Sequence, residues 1–103
     1  MDLLAALRHY APVYRAHATQ LATYRCARQW LQTMDYRSAT REQLEAHARM
    51  AARWASAGYL AVEAAPLIAS GMTVEQAVDA DPTTDAERLQ RLADRMAMLR
   101  GDD

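Results

Sequence analysis

The sequence predicts an all-α fold: a compact bundle of four to six helices in a single domain, residues 1–103, with one long central helix over about 13–34 and short helices within 60–80. Three observations lead there. Strand formers are sparse, and no apolar–polar alternation lasts more than a few positions. Three capping boxes stand in the sequence, Thr40-x-x-Gln43, Thr73-x-x-Gln76 and Thr84-x-x-Glu87. In each, a hydroxyl accepts from the N3 amide while the N3 side chain reaches back to the cap. Finally, the three glycines, Gly58, Gly71 and Gly101, all sit where a helix should stop in a left-handed C′ position.

Asp2 is the expected N-cap of the first element, which runs to about Tyr10. Pro12 lacks an amide hydrogen, so it either kinks this helix or opens the next at its first position. Over 13–34 the main stripe is Tyr14, His17, Leu21, Tyr24, Arg28 and Leu31, continuing back through Tyr10, Leu7 and Leu3 in steps of three and four. Ala18, Ala22, Cys26 and Trp30 form a second, nearly opposite face. A helix apolar on two sides belongs at a bundle centre or at an interface.

Residues 41–56 make the next helix, with Leu44, Ala48, Ala51 and Ala55 in line and His47, Met50 and Trp54 beside them. Two short helices follow, near 60–69 (with Pro66 expected to kink it) and 74–80. They belong to a loose repeat in which Gly58 and Gly71 are each followed by an apolar residue and, after one or two more residues, by Val-Glu-x-Ala. Asp81-Pro82 then breaks the chain. Residues 84–100 form a last helix with Leu89, Leu92, Met96 and Leu99 facing one way.

Composition narrows the functional classes. Ala supplies 23 of the apolar residues, against 16 for Leu, Ile, Val and Phe together, so the core is lean and helices must approach across Ala faces. A fully buried large side chain contributes about 1.5–3 kcal/mol, and ordering a residue's backbone costs about 1–2 kcal/mol. Such a chain gains from covering more surface, and a homodimer is expected. Cys26 is the only cysteine, which excludes an internal disulfide. The N-terminus does not read as a signal peptide and no run approaches a membrane span, so the expectation is a cytoplasmic protein with no membrane partner. All 12 basic residues are Arg, which points to a high-GC bacterial or phage genome.

No catalytic constellation stands out, so no catalytic residue, no cofactor and no metal site is assigned. His9 and His17 lie about 12 Å apart along a helix, too far to share an ion. His17 and His47 read as hydrogen-bonded core histidines. Cys26 lies near Arg25 and Arg28 but aligns with Ala22 and Trp30, where a thiol packs as a small apolar group.

Two binding classes remain. A helix-turn-helix using Gly71 would place "TVEQAVDAD" in a major groove, and its Glu75, Asp79 and Asp81 would face phosphates without one Arg. The better nucleic-acid version uses the N-terminal half, where residues 1–53 carry eight Arg and four acids. Its candidate contacts are Arg8, Arg15, Arg25 and Arg37, interleaved with tyrosines that also fit the core stripe. The preferred reading is a small non-catalytic adaptor, inhibitor or regulator that binds another protein. Its candidate interface is Trp30, Cys26 and Ala22 on the second face, with Leu92, Met96 and Leu99 on the last helix.

Overall fold

The computed structural model describes residues 1–19, 27–81, 86–91 and 93–94, and all the regular structure among them is helical. The helices are α1 (Leu3–His17), α2 (Ala27–Leu31), α3 (Arg41–Ser56), α4 (Ala61–Ala69) and α5 (Val74–Ala80). A further helical stretch covers 86–91. The all-α expectation therefore holds, and α1 packs along α3 with α2 wedged against both.

Asp2 caps α1 as expected, its Oδ1 accepting from the Ala5 amide at 2.8 Å. Ala6, Tyr10 and Tyr14, spaced by four, are fully buried on one face. Pro12 neither ends this helix nor begins another: it sits inside α1. Its ring frees the carbonyl of Arg8, one turn earlier. Both residues are solvent-exposed, so water can take that bond.

The long helix over 13–34 is not formed. α1 ends at His17, and Ala18 is extended at φ −90° and ψ 149°. The Thr19 amide donates to Ser56 Oγ at 3.3 Å, a contact 37 positions away that replaces a helical bond. Trp30 and Leu31 belong instead to the five-residue α2, which buries both. Apolar spacing did not separate one long rod from two helices whose stripes happen to be in phase, and no Gly or Pro marks the break.

Helix α3 starts with the expected capping box. Gln43 donates its amide to Thr40 Oγ1 at 3.2 Å, and the Thr40 amide donates to Gln43 Oε1 at 2.8 Å. Its buried line of Leu44, Ala48, Ala51 and Ala55 is the one read from sequence, joined by Ala52 and Trp54. The small Ala side chains let α1 bring its tyrosines close.

The loose repeat is explained by two consecutive Schellman turns. After α3, the Gly58 amide donates to the Ala55 carbonyl and the Tyr59 amide to the Trp54 carbonyl, with Gly58 at φ 96°. After α4, Gly71 (φ 86°) donates to Ile68 and Met72 to Leu67. In the first turn the accompanying apolar contact is a T-shaped Trp54–Tyr59 pair with centroids 5.3 Å apart. Glu63 Oε1 accepts from the Leu60 amide at 3.0 Å, half a capping box that starts α4. A full box at Thr73 and Gln76 starts α5. Pro66 also lies within its helix, on an exposed side. The Thr84 box and Gly101 lie outside the described residues.

Candidate functional site

A groove of about 550 Å³ opens between α3 and the α4–α5 turn, with His17 from the end of α1 closing one side. On α3 it is lined at Ala46, Arg49, Met50, Arg53 and Trp54, the i, i+3, i+4, i+7, i+8 positions that share one helical face. The second Schellman turn delivers Ile68 and Met72, and the start of α5 adds Val74 and Glu75. The floor is thus apolar and includes two thioethers, which adapt readily to varied contact shapes.

Charge is confined to the rim. Arg53 and Glu75 form an ion pair joining α3 to α5, both side chains well exposed. Glu45 and Arg49 do not pair as their spacing suggests. Glu45 Oε1 instead meets Arg41 Nε at 3.0 Å, and Arg49 stays exposed with no ion-pair partner among the described residues. His17 is exposed too, its Nδ1–H donating to the Val13 carbonyl at 3.0 Å. It is a groove residue, and the expectation of a core histidine is corrected. The stripe that placed it in the core depended on a helix continuing past 17.

His47 is the core-type histidine the sequence suggested. Tyr10 Oη lies 2.6 Å from its Nδ1, and Thr33 Oγ1 lies 3.1 Å from its Nε2. The Thr33 hydroxyl spends its only hydrogen on the Trp30 carbonyl at 2.7 Å. It must therefore accept from Nε2–H, which leaves Nδ1 to accept from the Tyr10 hydroxyl. The network is complete with a neutral ring, and burial pushes the His47 imidazole down to about 4. Burial first, and Tyr14 second, push the Tyr10 hydroxyl above its ordinary range. These groups tie α1, α2 and α3 together.

Arg88 is 1% exposed and was not singled out from the sequence. Its Nε donates to the Ala57 carbonyl at 3.2 Å, and its Nη1 lies 3.7 Å from Asp81 Oδ2. It caps the end of α3 while fastening 86–91 over Gly58. Nothing in its helical spacing distinguishes it from a solvated arginine.

The residues chosen from sequence fall differently. Trp30 is 1% exposed and sits in the core of this one chain, so it cannot anchor a partner. That correction follows from the break after His17, which turns the supposed second face inward on α2. Cys26, Ala22, Leu92, Met96 and Leu99 lie outside the described residues, as does Arg25. Arg8, Arg15 and Arg37 are exposed, but Tyr10 and Tyr14 beside them are fully buried and offer no stacking surface. Helix α5 exposes Glu75, Gln76 and Asp79, the acidic face anticipated against a DNA-reading role. Among the described residues no three His, Cys, Asp or Glu side chains cluster as metal ligands, and no helix is long and apolar enough to cross a membrane. The groove itself was missed, although the α3 face carrying Arg49, Met50 and Arg53 can be drawn from spacing alone.

Compared with protein-family models, with curated proteins and with solved structures, the chain matches none.

Proposed function

We propose that this chain is a small non-catalytic binding module, an adaptor, inhibitor or regulator, that holds a segment of another protein in the groove between α3 and α5. The observation that supports the reading is the combination of an apolar floor (Met50, Ile68, Met72 and Val74) with a charged rim on a lean helical body. Apolar patches rimmed by polar groups mark contact sites on folded domains, and clefts flanked by helices accept amphipathic segments. The groove replaces Trp30 as the centre of the interaction.

The test is affinity recovery from cells that naturally produce the protein, with wild type and Met72→Asp side by side. A partner held by wild type and lost on Met72→Asp, with circular dichroism unchanged, supports the reading. Identical recoveries from both overturn it. Light scattering of the same samples addresses the homodimer: a doubled mass that Met72→Asp returns to a single chain makes the partner a second copy.

Nucleic-acid binding ranks second, supported by the exposed Arg8, Arg15 and Arg37 of the Arg-rich N-terminal half. Its signature is an affinity falling with salt by about 0.7–0.9 log units per released ion. No binding at low salt removes it.

A further inference from the structure

We infer that the segment seated in the groove is an acidic amphipathic stretch of a partner protein, its apolar side chains against Met50, Met72 and Val74 and a carboxylate meeting Arg49. This rests on the protein-binding reading above and adds the chemistry of the occupant. Among the described residues that line the groove, Arg53 and Glu75 satisfy each other, which leaves the Arg49 guanidinium as the unmatched full charge on the rim. The nearest acid on its own helix face, Glu45, is held by Arg41. A guanidinium offers two parallel donors that match a carboxylate, whereas a basic segment would bring like charge against it. The apolar floor sets the second requirement. Arg49 stands one position from Met50 and four from Arg53, so an acid flanking an apolar anchor meets charge and floor together. A groove walled by helices on both sides suits a chain segment entering along its length.

Fluorescence anisotropy on the full chain tests this with short labelled peptides. One carries Leu at helical spacing flanked by Glu; the others replace Glu by Lys, or Leu by Ser. The Glu peptide should bind about tenfold or more tightly than the Lys peptide. Arg49→Glu should reverse that order, and Met72→Asp should abolish binding with helicity unchanged. Equal or tighter binding of the Lys peptide overturns the acidic assignment while leaving the groove a protein-binding site. Undiminished binding of the Ser peptide, or Glu-peptide binding that survives Met72→Asp, overturns it because the floor is then unused. Absence of binding by any peptide overturns it as well, and the affinity recovery then decides separately whether the groove binds protein. A doubled solution mass abolished by Met72→Asp assigns the groove to a second copy and also overturns it.

Discussion

A Cβ added at Gly58 would stand 2.8 Å from Arg88 Cβ and 2.9 Å from its backbone carbon, whereas one added at Gly71 meets nothing within 4 Å. Both glycines have positive φ, so both alanine variants carry left-handed strain of roughly 1–2 kcal/mol. Only Gly58→Ala must also displace the backbone at Arg88, and its expected cost is about 3 kcal/mol. Urea unfolding of the two variants separates conformational strain from the close approach. His47 makes the other prediction at this scale. Its folded value near 4 lies below the ordinary 6.5, so between these values the unfolded chain binds more protons. The stability is fully present above about 6.5 and is lost as pH falls towards 4. With the ring only half-buried, about 2 kcal/mol should disappear across that window. His47→Gln, which does not titrate, should flatten the midpoint against pH in urea melts.

At the scale of the helix, caps were legible and the break in the first long stripe was not. Asp2, Thr40 and Thr73 announce their helices by side-chain chemistry confined to four residues, which is why sequence reading found each start. Thr40→Ala should cost about 1 kcal/mol, since it removes an acceptor from the Gln43 amide and half of a reciprocal pair. Just beyond the end of α1 the Thr19 amide meets Ser56, contributed from another helix, and no local signal carries a contact of that kind. Trp30 was misplaced for the same reason. In its observed position Trp30→Ala should cost about 3–5 kcal/mol in thermal or denaturant unfolding. It should leave the solution mass unaltered, because the lost contacts are internal. The candidate site was legible only in pieces: spacing on α3 aligns Arg49 with Arg53, but which cation Glu45 neutralises is a choice between two neighbours at equal separation. That choice decides where the unmatched charge stands.

At the scale of the whole molecule, cohesion among the described residues is uneven. Helices α1, α2 and α3 share the tyrosines, Trp30 and the His47 network, whereas α4 meets α3 much more lightly. Segments with few buried neighbours open without global unfolding. Amide hydrogen exchange should therefore find α4 and α5 exchanging well ahead of α3, with the slowest amides around Leu44 to Ala52. Equal protection along the chain would mean that the body unfolds as a single unit. The wall of the groove built from Ile68, Met72 and Val74 belongs to the looser part, so a bound segment should slow exchange there more than in α3.

The contrast between the two Schellman turns also governs where the chain tolerates added length. Residues spliced in at Gly58 would lever Arg88 off the Ala57 carbonyl and unseat the stretch that crosses above it. The same insertion beside Gly71 meets open solvent, so its disturbance stays local to α5 and the nearby wall. A library of short inserts at that corner is therefore a way to re-tailor what the cleft accepts while the three-helix foundation keeps its shape.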